Sequence, residues 1–248
     1  MKLKYTLIFF VTLFVLTGCS KDEKLEEDVT IPPSQQEQSE EEIKNLPYTF
    51  PLTGIKTAEE PTSRPIAITI NNHPDARPQS GISKADIVYE MLVEGDATRY
   101  LAIFQSNIPE KIGPVRSARD YFIEIAKGLD SLYIAHGYSP EAHQMLNSGV
   151  VDHINGMQYD GIYFNRSANR KAPHNSYITA ENIALATQKL NISLENEKNV
   201  AYTFYADEDS VKMGSKANKI YMNYFSQNSS YSSIYSYDAE SKKYHKSS

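Results

Sequence analysis

Short β-branched runs alternate with amphipathic helical stretches through the middle of the chain and give way to strand patterns alone near its end. This predicts a mixed α/β (α+β) N-terminal domain followed by a smaller β-rich C-terminal domain. The composition agrees: 248 residues with 40% hydrophobic and 23% charged suit a globular protein of one or two domains. A third observation, a polar tract with almost no large apolar side chains over residues 20–46, sets the folded part apart from what precedes it.

The first element is not part of the fold. Lys2 and Lys4 precede the apolar run Leu7 to Leu16, which is the length of a signal-peptide hydrophobic region and too short to span a bilayer comfortably. Leu16-Thr17-Gly18-Cys19 then places small residues directly before a cysteine, the lipobox pattern of bacterial lipoproteins. The expectation is a signal peptide over residues 1–18, cleavage before Cys19, and a diacylglyceryl thioether on that sulfur. Each buried CH₂ of such chains contributes about 0.8 kcal/mol, so two or three chains anchor the protein stably to the lipid bilayer. Residues 19–46 read as the lipidated cysteine and a flexible acidic tether, residues 47–196 as the α/β domain, and residues 197–248 as the β-rich domain. The expected location is the extracytoplasmic face of the cell membrane.

Cys19 is the only cysteine, so the mature domain has no disulfide framework, thiolate nucleophile or cysteine metal cluster. A net charge of −6 argues against nucleic acid as a partner and leaves room for a local basic pocket.

Within the α/β domain, Ile66 to Ile70 between Pro65 and a polar turn has the pattern of a buried strand. Ile87 to Val93 and Tyr100 to Phe104 read as two more strands, joined by a tight connection over Glu94 to Arg99. Ser117 followed three residues later by Asp120 predicts a capping box, with Tyr121, Phe122, Ile125, Ala126 and Leu129 at helical spacing. Leu132 to Ala135 is a strand; Ser139-Pro140-Glu141 supplies an N-cap, an N1 proline and a first-turn acid for a helix. Val150 to Ile154 reads as a strand, Asn155 to Tyr177 as a long loop, and Thr179 as the cap of a helix to about Leu190. Beyond Asn199 strands are expected at Val200 to Ala206, Lys219 to Phe225 and Ser232 to Tyr237. A hairpin at Tyr237 to Lys242 leads to a strand beginning at Lys243-Tyr244, so that the second domain looks incomplete.

The most chemically suggestive segment is Gly113-Pro114-Val115-Arg116-Ser117-Ala118-Arg119-Asp120. Two arginines at a predicted helix start, where the dipole disfavours positive charge, call for something negative nearby. Either an anionic ligand meets them, or Arg116 or Arg119 pairs with Glu90 or Glu94. On one strand Glu90 and Glu94 would stand about 13 Å apart, too far for a glycosidase pair.

His136, at a predicted strand end before a glycine loop, and His174, in a loop with Arg166, Arg170 and Lys171, are further candidates. His73, His136, His143, His153 and His174 show no paired metal-ligand spacing, and neither a metal nor a cofactor is expected. No G-x-S-x-G elbow or phosphate-cradling glycine loop is present. In the polar loop Asn71 to Gly81, Arg77 and Gln79 point to the same cleft, unless the loop is a plain proline-stiffened connection.

Asn71-Asn72-His73-Pro74, Ala76 to Gly81, Ala85 to Glu90, Val93-Glu94-Gly95, Thr98-Arg99, Ile112 to Arg119 and Ala172-Pro173-His174-Asn175 together resemble the YerB-like lipoproteins of Gram-positive bacteria (DUF3048), a family of unknown function. The resemblance covers residues 47 to 248. It implies an α/β domain and a smaller β-rich domain that normally continues past the point where this chain ends, and it carries no established reaction.

The expectation drawn from all this is a membrane-tethered binding or accessory protein of the cell envelope, more a binding protein than an enzyme, with a cleft for an anionic or polar wall ligand. Its candidate ligand-binding residues are Arg77, Arg99, Arg116, Arg119, His136, His174 and Asn175. The alternatives are an envelope hydrolase or transferase using a histidine with Glu90, Glu94 or Asp120 as acid or base, and a scaffold for envelope proteins built on Tyr231, Tyr235 and Tyr237.

Overall fold

A five-stranded sheet carries the architecture, and its central strand explains why. The computed structural model describes residues 45–205 and 214–247; Cys19 and the signal segment lie outside them. A small antiparallel pair, β1 (Tyr48–Thr49) and β2 (Lys56–Thr57), opens the described chain. Strand β3 (Ile66–Asn71) is buried at every position, so it needs apolar cover on both faces. It is followed by β4 (Ile87–Val93) and β5 (Ala97–Phe104). The two join through Glu94-Gly95-Asp96, where Gly95 takes a left-handed backbone (φ 75°).

Next come β6 (Lys111–Ile112), helix α1 (Asp120–Gly128), β7 (Leu132–Ala135), α2 (Pro140–Asn147) and β8 (His153–Asn155). The domain ends with a short α3 (Gly156–Tyr159), β9 (Phe164–Arg166), β10 (Ser176–Thr179) and α4 (Ala180–Leu190). The large sheet has the order β4-β5-β3-β7-β8, with β4, β5 and β3 antiparallel to their neighbours and β3, β7 and β8 parallel.

Alternation along the strands sorts the core into two layers. Ile66, Ile68, Ile70, Ala102, Phe104 and Ile134 face one side, covered by Ile112, Phe164 and Ile178 of the three-stranded sheet β6-β10-β9 and by Ile183 and Ala186 of α4. Ala67, Leu101, Ile103 and Tyr133 face the other, covered by Phe122, Ile123 and Ala126 of α1 and by Ala142 and Leu146 of α2. Burial of these apolar faces, at about 25 cal/mol per Å², is what holds the layers together.

The β-rich segment forms an antiparallel sheet of β11 (Lys219–Met222), β12 (Ser233–Asp238) and β13 (Lys243–Ser247). It docks on the body by polar contacts: Lys246 Nζ lies 2.7 Å from Glu90 Oε2, and Arg77 donates to the Ser230 carbonyl at 2.7 Å.

Several elements differ from the sequence reading. The N-cap of α1 is Arg119, not Ser117; Ser117 Oγ donates to the His136 carbonyl instead, because backbone pairing holds residues 113–118 extended. The predicted strand at 150–154 begins three residues later, at His153. Residues 155–177 are not one loop, since α3, β9 and part of β10 occupy them. Val200 to Tyr205 form no strand, and Ala206 is outside the described residues. Among the described residues no helix is long and apolar enough to cross a membrane.

Candidate functional site

The arginine segment is held in place by its own main chain. Leaving β6, residues 113–118 run along the end of β3: Arg116 N–H donates to the Thr69 carbonyl at 2.9 Å, and the Arg116 carbonyl accepts from His136 N–H at 3.0 Å. Val115 N–H donates to the Ser176 carbonyl of β10 at 2.7 Å. With its backbone tied on both sides, Arg116 projects its side chain from a rigid support into a cavity of about 330 Å³.

The same cavity is lined by Arg99, Asn71, His174, Glu94 and Tyr231. Arg99 stands opposite Asn71 in the β3/β5 register and is buried. It donates to the Ser117 carbonyl at 2.8 Å. Burial, and then the nearby Arg119 and Arg116, push its guanidinium down to about 10. Arg116 is lowered for the same reasons, burial first and Arg119 second. Its side chain has no hydrogen bond or ion pair among the described residues.

Arg119 is different. It grips Glu94 with Nε at 2.8 Å, and Nη2 closes the fork, which holds the Glu94 carboxyl down at about 2. That pair neutralises the carboxylate on the cavity wall. The sequence alternatives therefore divide: Arg119 takes the internal pair, and Arg116 remains without one.

His174 lines the cavity and receives Asn71 Nδ2 on its Nδ1 at 2.9 Å. Desolvation, His73 and Arg116 lower its pKa. Asn175 and His136 are not in the cavity wall. They belong to a network in which Arg166 donates to Asn175 Oδ1 at 3.0 Å, to His136 Nε2 at 3.0 Å and to Asp160 Oδ2 at 2.9 Å. A guanidinium only donates, so neutral His136 carries its proton on Nδ1 and gives it to Ser176 Oγ, 2.7 Å away. Ser176 is buried and accepts the proton, the reverse of what an activated nucleophile needs. Desolvation and Arg166 keep His136 below its ordinary pKa.

Glu90 pairs across from Tyr100, on the opposite face of the sheet from Arg99. It accepts from Asn72 Nδ2 at 3.0 Å, Thr98 Oγ1 at 2.8 Å and Lys246, and lines a different cavity. Glu90 and Glu94 are thus separated by cavity, depth and partner. Asp120 is the first residue of α1 and Arg77 braces the Asn72 carbonyl and Tyr231; neither lines the arginine cavity. The sequence reading set His73 aside for want of paired metal-ligand spacing and placed Asp75 only within the polar loop; His73 stacks on His174, a contact between loops far apart in sequence.

The sequence and the fold place this chain in a known class. Residues 52–193 match the model described as "Protein of unknown function (DUF3048) N-terminal domain", more than half of the chain, and the chain belongs to that family. It is 44% identical over 199 residues to "Putative lipoprotein YerB" of Bacillus subtilis (strain 168), covering 80% of this chain and 59% of that protein. The crystal structure of YerB protein from Bacillus subtilis matches with a TM-score of 0.72 at 42% identity, over 80% of this chain and 66% of that one. The chain thus spans less than two thirds of the length of either relative.

Proposed function

We propose that this protein is an extracytoplasmic lipoprotein, anchored through Cys19, whose arginine cavity binds an anionic or polar ligand of the cell envelope. The observation that carries the reading is the Arg99/Arg116 pair: two guanidinium groups in one cavity, where among the described residues Arg116 has no hydrogen-bond or ion-pair partner and the one carboxylate of the wall is already neutralised by Arg119. A half-buried cation with no counter-charge is costly. Its forked donors match phosphate and carboxylate groups, which would offset that cost. The anchor is supported by the lipobox sequence before Cys19 and by the name of the relative.

The test has two arms. Titration of the detergent-solubilised protein with inorganic phosphate, phosphorylated wall-polymer fragments and muropeptides should show salt-dependent binding that Arg116→Ala weakens at least tenfold. Binding to none of them, or binding indifferent to Arg116→Ala, refutes the cavity. For the anchor, Cys19→Ala should move the protein from the membrane to the soluble fraction; unchanged membrane association refutes it.

A further inference from the structure

The rim of the arginine cavity carries a second grouping that the anion reading does not use. His73 and Asp75 lie in the turn that leaves β3, and His174 in the loop before β10, so the fold alone brings them together. One donor atom from each, all three within 4.8 Å of one another, makes a two-histidine, one-carboxylate set. The imidazoles of His73 and His174 stack with centroids 4.5 Å apart at 24°, and His73 Nδ1 stands 3.7 Å from Asp75 Oδ2.

We propose that His73, Asp75 and His174 bind a divalent first-row transition metal ion. Imidazole nitrogen with one carboxylate suits zinc, cobalt or iron, whereas calcium and magnesium take all-oxygen shells. The rings are already in the form a metal needs. Asn71 Oδ1 accepts the His73 N–H at 2.9 Å, which fixes its amide so that Nδ2 donates to His174 Nδ1. Asp75 N–H donates to His73 Nδ1 at 3.2 Å. Each imidazole thereby turns its Nδ1 toward an amide N–H as an acceptor, and an ion entering there replaces one amide N–H at each ring.

Bonds of about 2.0–2.1 Å put neighbouring donors on a tetrahedral ion roughly 3.4 Å apart, so the cluster closes by about 1 Å on binding. The movement falls to His73 and Asp75, whose side chains are 45% and 74% exposed at a three-residue turn, while the His174 backbone is held by its N–H bond to the Lys171 carbonyl at 2.9 Å. Arg116 in the cavity wall and Arg170, which donates to the Asp75 carbonyl at 2.7 Å, oppose a dication. Three protein donors leave at least one coordination position open, and a small anion there offsets that opposing charge. The site does not depend on the anion reading, because its donors are not the arginines.

Untagged protein titrated with Zn²⁺ by calorimetry should bind one ion per chain in the micromolar range, and Co²⁺ should give visible d–d absorption bands. His174→Ala, and the double change His73→Asn with Asp75→Asn on the exposed turn, should each weaken binding at least tenfold. Circular dichroism confirms that these variants fold; the exposed double variant keeps the test decisive if His174→Ala does not. His143→Ala, a surface control, should change nothing. No Zn²⁺ binding below millimolar, or equal binding by the folded variants, overturns the site. Arg116→Ala separates the two readings: it should remove anion binding and retain the metal.

Discussion

Removing Arg116 should make the ligand-free protein more stable, and the size of the gain follows from its neighbour. Arg99 is driven from 12.5 to about 10 by burial first and by Arg119 and Arg116 second. At 1.36 kcal/mol per pKa unit that displacement corresponds to about 3 kcal/mol of cost to the folded state with Arg99 charged. Burial takes the largest share and Arg119 the next, with Glu94 and Tyr121 acting the other way, so the repulsion from Arg116 alone is a minor part, under about 1 kcal/mol. Arg116→Met keeps the aliphatic stem against the cavity wall and deletes the charge. Urea denaturation at pH 7 and low salt should show a gain of about 1 kcal/mol including relief of Arg116's own desolvation, and thermal melting a rise of about 2–4 °C. High salt should shrink the difference. Added phosphate should stabilise the natural protein and not the variant. A loss of more than about 1 kcal/mol in Arg116→Met would mean that the guanidinium has a stabilising partner and is not free for an anion.

Glu94, held at about 2 against an ordinary 4.5, adds stability that is present above pH 4.5 and lost as pH falls toward 2. Its side chain is 69% exposed, so solvent screening reduces the effect to about 1 kcal/mol; Glu94→Gln should cost that much at pH 7 and nothing near pH 2 in parallel urea titrations. Gly156→Ala should destabilise by about 1–3 kcal/mol, because a Cβ there collides with the His136 ring; a neutral effect on melting would show that the ring moves freely. Lys246→Met strips one partner from Glu90, whose side chain is 7% exposed. It should cost about 1–3 kcal/mol, and a double-mutant cycle with Glu90→Gln that shows no coupling would refute the pairing.

The parts of this fold that could be read from sequence are those whose signals are local. Ile87 to Val93 and Leu132 to Ala135 appear as strands with their expected limits, and Thr179 and Ser139 cap their helices with side-chain oxygens accepting from Asn182 and Ala142. The capping box at Ser117 fails because a tertiary ladder to β3 and β10 outcompetes a local cap. The elements within 155–177 are only three or four residues long, too short for periodicity to register. Arg99, Arg116 and His174, named from sequence, meet in one cavity, whereas His136 and Asn175 are drawn into the Arg166 network. That Glu90 and Arg99 face apart follows from strand parity once the β4/β5 register is known. The meeting of His73 with His174 has no local signature at all.

One wall of the arginine cavity comes from Asn228, Ser230 and Tyr231, just ahead of β12, and the opposite wall from β5 and the Arg116 segment. A molecule lodged between them would act as a staple, adding its binding free energy to the contacts that seat the β11–β13 sheet. By mass action a ligand at a hundred times its Kd would favour the seated form by about 2.7 kcal/mol. Occupancy would then be legible at a distance, as slowed amide exchange in strands that never touch the ligand.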